Sequence, residues 1–194
     1  MYDINEKMTL ELLEKEKNDL EFRIATRKRN REAIDTFKPW IKGDVFEVGC
    51  RHGVLLDMIG NMGHLTFGID ISKEAIELSR QKGLNCEVQG AESLIESPAL
   101  FDKFDTIFCL HTLEHCIDIP KVIDGIYDCL KLGGHVLIEI PLQPKEPTPT
   151  KWGHYHCFES EDELINMFKI FTHKKTFRQN KHTWRRFVFQ KKGL

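Results

Sequence analysis

Residues 111–115 read HTLEH, placing His111, Glu114 and His115 within one five-residue stretch. On a helix, positions three and four apart share a face, so the spacing predicts two imidazoles and a carboxylate converging. Such a set can ligate a metal, or move a proton near neutral pH through an imidazole. A second chemical signal lies at 47–53, EVGCRHG, where Gly49 and Gly53 stand between an apolar run and a helix-like one. Glycines there permit backbone conformations and close approaches that a side chain forbids. A short way on, GIDIS places Asp70 at the end of the next apolar run, where an acid can accept hydrogen bonds from both ribose hydroxyls. Loop and acid together predict a nucleoside-containing cofactor. A dinucleotide would require GxGxxG, which Gly49, Cys50, Arg51, His52, Gly53 does not supply.

The elements that must hold these residues alternate. DVFEV, LTFGID, LNCEVQ, FDTIFCL and HVLIEIPL are predicted strands. HGVLLDMIGNMG, SKEAIELSRQKG (capped by Ser72 and ended by Gly83) and IPKVIDGIYDCLKLGG are predicted helices. Strands spaced by helices imply βαβ units and a parallel sheet covered on both faces. ESEDELINMFKI adds a helix, and HKKTFRQN with TWRRFVFQKK a closing antiparallel pair. The expected fold is therefore α/β, a Rossmann-like, doubly wound, mostly parallel seven-stranded sheet with an antiparallel edge hairpin. An N-terminal helix over Met8 to about Phe37 precedes it, giving a helical extension or lid at 1–40 and one domain at 41–194. In such sheets ligands bind beyond the carboxyl ends of the strands.

Composition narrows the class. The chain has 194 residues, 41% hydrophobic and 30% charged, enough for one sizeable core. A net charge of −2 advertises neither nucleic acid nor an anionic membrane. No apolar run approaches the roughly 20 residues of a membrane span, and the acidic, amphipathic N-terminus does not resemble a signal peptide. Six cysteines without a CxxC pair fit reduced thiols in a cytoplasmic protein.

The motifs, taken in order, resemble those of class I S-adenosylmethionine (AdoMet) methyltransferases, and in particular the small-molecule, ubiquinone-pathway-like branch. EVGCRHG resembles the first motif, with Arg51 in place of the middle glycine. GIDIS resembles the second, and QGAESL the adenine-flanking segment, with Gly90 where an aspartate is common. FDTIFCLHTLEHCID resembles the fourth-strand motif, and LKLGGHVLIEIP the fifth-strand one. The resemblance implies AdoMet across the strand tips. Backbone around Glu47, Gly49, Cys50 and Gly53 would hold the methionine part and Asp70 the ribose. Ile71 would face adenine, Ala91 and Glu92 would line its edge, and Leu110 and His111 would lie near the reacting methyl.

HxxEH also occurs in inverted zinc peptidases, but there it lies within a long helix rather than after a buried strand. Ubiquinone-pathway O-methyltransferases and small-RNA 2′-O-methyltransferases carry ExxEH here, binding a divalent ion with a further histidine from a later loop. By that resemblance the metal set would be His111, Glu114, His115 and a histidine of GHYHCFES at 153–160, which offers His154 and His156, with His156 preferred. More imidazole would shift preference from magnesium toward manganese, iron or zinc. Without a metal, His111 or His154 would be the general base.

The basic stretch RIATRKRNRE at 23–32 reads either as a solvated helix or as a lid over an anionic substrate, and Trp152 and Tyr155 as an aromatic wall at the mouth. The expected activity is O-methylation of a small metabolite by a monomer or homodimer, with no membrane partner. Metal-assisted 2′-O-methylation of an RNA end, and a non-catalytic methyltransferase-like binding module, stay open as alternatives. Negative net charge and the lack of a separate RNA-binding module weigh against nucleic acid.

Overall fold

The computed structural model of the chain describes residues 20–178 and 183–193. The part of the expected N-terminal helix before residue 20, and Gln179 and Asn180 at the end of HKKTFRQN, lie outside the described residues.

Chain order runs α1 (Leu20–Phe37), β1 (Val45–Val48), α2 (Val54–Gly60), β2 (Thr66–Asp70), α3 (Lys73–Gln81) and β3 (Cys86–Val88). It continues with β4 (Phe104–Leu110), α4 (Ile119–Cys129), β5 (Leu130–Pro141), α5 (Glu161–Met167), β6 (Phe171–Arg178) and β7 (Trp184–Lys191). The seven strands form one sheet in the order β3-β2-β1-β4-β5-β7-β6. Five are parallel, and β7 runs antiparallel between β5 and β6. The order reverses between β1 and β4, so their carboxyl ends open a crevice. The expected α/β sheet with its antiparallel edge hairpin is what the chain forms.

Both faces of the sheet are covered, which is why its central strands are continuous apolar runs rather than alternating ones. On one face Phe46, Ile107, Val136, Ile138 and Phe187 pack with Val122, Ile126 of α4 and Leu164 of α5. On the other, Phe108, Leu137 and Val188 receive Leu55 and Ile59 of α2 and Ala33, Ile34 and Phe37 of α1. The C-terminal half of α1 therefore shares a core with the sheet, and the boundary expected at residue 40 does not separate two cores.

Two local expectations change. The helix predicted through LKLGG stops at Cys129, because Leu130 already pairs with Phe104; the ladder then shifts register and resumes at Thr106 with His135. HTLEH is not helical throughout. His111 takes a left-handed φ of 50° and only Leu113–His115 form a single 3₁₀ turn. The cause is that His111 N–H continues the sheet, donating to Glu139 O at 2.8 Å.

Phe37 is fully buried, edge-on to Phe108 with centroids 6.1 Å apart. Phe37→Ala is expected to lower stability by about 3–5 kcal/mol, the cost of a large core aromatic, as read from urea unfolding. A loss under about 1 kcal/mol would show that α1 is not part of the core.

Candidate active site

A cavity of about 630 Å³ lies over the carboxyl ends of the strands. Gly49, Arg51, Asp70, Ile71, Ala91 and Glu92 line one part, and Leu110, His111, Glu114, His115 and His154 another, with Arg29, Trp152 and Trp184 at its walls.

Asp70 ends β2 and is held by the loop it faces. Its Oδ2 accepts Arg51 N–H at 2.8 Å and its Oδ1 accepts Ser72 N–H at 2.9 Å. Each oxygen keeps a further lone pair, and Asp70 lines the cavity, as a ribose-binding acid requires. Burial pushes its carboxyl above the ordinary aspartate range, partly offset by the Ser72 and Arg51 amides. Arg51 answers for its place in the loop through its backbone. It adopts a left-handed φ of 49°, which aims its amide at Asp70.

Both glycines adopt the left-handed backbone and the close approach that a side chain forbids. At Gly49 (φ +79°) a Cβ would lie 2.3 Å from Thr112 Oγ1, and at Gly53 (φ +73°) 2.3 Å from Leu84 Cδ1. Gly49 does line the cavity, but Gly53 is required for packing of the turn against α3 and its neighbours. Cys50 and Glu47 are buried beneath the loop and do not line the cavity either. Cys50 packs with Leu56, Ile76 and Cys86. Of the ten residues expected to touch the cofactor, the structure thus places Glu47, Cys50 and Gly53 in supporting positions. Glu47 Oε2 has no hydrogen-bond partner, and burial first, then the charge of Asp70, holds its carboxyl well above the usual glutamate range.

The second half of the cavity is built by β4, β5 and the loop at 150–156. Tyr155 and His156 N–H both donate to Glu114 O, at 2.8 and 3.1 Å, pinning that loop on the Leu113–His115 turn. Glu114, His115 and His154 each present one ligand atom, all within 4.8 Å of one another. His115 Nδ1 lies 3.1 Å from Gly153 O and His154 Nδ1 3.0 Å from Gln143 Oε1. With Nδ1 turned to an oxygen acceptor in both, Nε2 is the ring atom each can offer as a ligand. Burial depresses His154 below the ordinary histidine range, so it is neutral at physiological pH. Glu114 is only 1% exposed, and its Oε2 has no hydrogen-bond partner among the described residues. An orphaned buried carboxylate oxygen among imidazole lone pairs fits a divalent cation.

Two residues expected in that set are elsewhere. His156 turns away, its Nε2 2.7 Å from Glu163 Oε1 and its ring 4.5 Å from that of Phe158. The bend at Tyr155 lets residues two apart face different ways, and His154 is the one that enters. His111 lines the cavity but has both nitrogens committed, Nδ1 to Glu114 Oε1 at 3.3 Å and Nε2 to Glu139 Oε1 at 2.8 Å. Burial alone would depress it, but hydrogen bonds and charge from Glu114 and Glu139 raise it to about 9. With both nitrogens facing carboxylate oxygens, neither offers a lone pair to a proton or a cation in this arrangement. The same contacts hold Glu114 and Glu139 below the glutamate range against their own burial.

Sequence reasoning missed Glu139 and Arg186. Glu139 accepts Arg186 Nε, and Arg186 Nη1 donates to Glu32 O at 3.0 Å and Thr36 Oγ1 at 2.7 Å. A charged residue inside the apolar run HVLIEIP was the available signal, since a buried acid needs a partner. Arg29 of α1 also enters the cavity wall, its guanidinium 5.8 Å from the Trp184 ring centroid. Tyr155, expected in the aromatic wall with Trp152, is not among the cavity's lining residues, whereas Trp184 is.

With that geometry in view, the comparisons with known proteins are specific. A family model described as a methyltransferase domain matches residues 11–180. A ubiquinone biosynthesis O-methyltransferase of Alkalilimnicola ehrlichii is 34% identical over 97 residues, covering 48% of this chain and 39% of the relative. The match therefore spans about two fifths of that relative's length. A SAM-dependent methyltransferase of Thermotoga maritima, described as a possible histamine N-methyltransferase, superposes with a TM-score of 0.69 at 16% identity, over 95% of this chain and all of that one. The [4+2]-cyclase SpnF superposes with a TM-score of 0.73 at 14% identity, over 88% and 83%. At these identities the structures show the fold alone. No helix among the described residues is long and apolar enough to cross a membrane.

Because the folded pKa of Glu47 exceeds its unfolded value, its contribution to stability is full below the ordinary glutamate range and is lost as pH rises through the folded value. Glu47→Gln should therefore melt like the parent near about pH 4 and gain on it by about pH 8. An equal difference at both pH values would mean that Glu47 ionises without cost.

Proposed function

This chain belongs to the methyltransferase domain family, and from that premise we propose that it transfers the methyl group of AdoMet to a hydroxyl oxygen of a small metabolite, such as a phenol or sugar. The observation that carries the reading is one continuous cavity with a ribose-type acid, Asp70, in one part and the Glu114–His115–His154 group in the other. The methyltransferase family supplies AdoMet as the cofactor, whose sulfonium makes its methyl an electrophile.

The roles of the chain's own residues follow from where they stand. Asp70 accepts from ribose hydroxyls with the lone pairs that Arg51 and Ser72 leave over. Ile71 offers an apolar surface to adenine, with Ala91 and Glu92 at its edge and Leu110 toward the methionine end. Arg29, in the wall of the same cavity, supplies positive charge suited to a carboxylate. Trp152 and Trp184 bound the acceptor side and suit a flat molecule, while excluding water from the developing oxyanion.

Without a cation, His154, kept neutral by burial, is the residue able to take the acceptor's proton, whereas both nitrogens of His111 are committed to carboxylates. Glu114, His115 and His154 would hold a divalent ion, which would lower the pKa of a bound hydroxyl. Two imidazoles and one carboxylate favour manganese, iron or zinc over magnesium.

Calorimetric titration with S-adenosylhomocysteine tests the cofactor half directly. Asp70→Ala should weaken binding by about 10- to 100-fold, the worth of about 1.5–3 kcal/mol for hydrogen bonds to a charged group. Binding by the variant at parental affinity, or none by the parent, would overturn the reading.

A further inference from the structure

Glu114 reaches the candidate cation position on a side chain with three rotatable bonds, so something must fix the direction of its second oxygen. His115 and His154 do not, since their Nδ1 atoms face Gly153 O and Gln143 Oε1. The contact that does is His111 Nδ1 on Oε1, at 3.3 Å. His111 is in turn fixed on three sides. Its amide bonds Glu139 O, its Nε2 lies 2.8 Å from Glu139 Oε1, and its ring meets the edge of Trp184 with centroids 4.9 Å apart. Glu139 is fixed by Arg186, and Arg186 by Glu32 O and Thr36 Oγ1 of α1. Glu114, Glu139 and Arg186 are each only 1% exposed, so each relies on its neighbours in this line to satisfy its charge.

We propose that His111 and Glu139 are positioning residues that aim Glu114 Oε2 at the ligand atoms of His115 and His154, and that His111 is itself neither ligand nor base. The proposal rests on the reading that Glu114, His115 and His154 hold a cation. Turning His111 toward that cation would break both of its carboxylate contacts and leave Glu139 with Arg186 alone. Kept where it is, it acts as an outer partner that orients a ligating carboxylate, a role whose loss weakens metal sites without abolishing them.

Cobalt(II) titration of the full chain, followed by calorimetry and by visible absorption, separates the roles, because the ligand-field spectrum reports ligand number and geometry. The parent should bind Co²⁺, and His154→Ala should lose it. His111→Asn, too short to span both carboxylates, and Glu139→Gln should each weaken binding about 10- to 100-fold with an altered spectrum. His156→Ala should match the parent. Thermal melting accompanies each variant; if Glu139→Gln does not fold, the partly exposed His111 decides.

Loss of Co²⁺ by His111→Asn as complete as that by His154→Ala would make His111 a ligand and overturn the proposal. Parental affinity and spectrum in His111→Asn would overturn the positioning role while leaving the cation reading intact. A parent that binds no Co²⁺ would remove the cation reading, and the proposal with it.

Discussion

The rest of the site depends on a buried line of charge, Glu114–His111–Glu139–Arg186, alternating in sign and ending on α1. A single unpaired ion at such depth would cost several kcal/mol, so each member is tolerable only with its neighbours in place. That constraint binds together the tips of β4, β5 and β7 and the C-terminal half of α1, four elements distant in sequence. It also sets the charge of the site, because the His111 contacts hold Glu114 and Glu139 below the ordinary glutamate range.

The other half of the site depends on a shorter-range device. Arg51 and Ser72 donate backbone amides to the two oxygens of Asp70, so that the loop after β1 and the turn after β2 fix one another. Left-handed backbone at Gly49, Arg51 and Gly53 makes that loop tight enough to close over the buried Glu47 and Cys50. An arginine in this conformation costs more than a glycine would, on the order of 1 kcal/mol, which the Asp70 contact offsets.

Much of this was legible in the sequence, because apolar runs, glycine stops and the Ser72 cap are local signals. Ser72 Oγ does accept Ala75 N–H, at 3.2 Å. Asp70 was readable because strand ends in such sheets face one crevice, and Ile71, Ala91, Glu92 and Leu110, which also line the cavity, came from the resemblance of the motifs to methyltransferases. What was not legible depends on direction or on distant partners. Whether His154 or His156 enters the cavity turns on the loop's path over Glu114 O, and His111 leaves the helical face because its amide joins β5. The Glu139–Arg186 pair spans 47 residues. Gly53 looked like a ligand contact and serves packing against Leu84, a distinction that spacing does not encode. Fold likeness would not have supplied these points, since a [4+2]-cyclase shares the architecture and function lies in the residues grafted on it.

The most direct test of the central claim is a crystal structure with S-adenosylhomocysteine and Mn²⁺, collected at the manganese anomalous edge. The account predicts ribose hydroxyls on Asp70 and an anomalous peak bonded to Glu114, His115 and His154, with His111 still between its two carboxylates. An adenosine bound away from Asp70, or a peak ligated by His111 or His156, would contradict it.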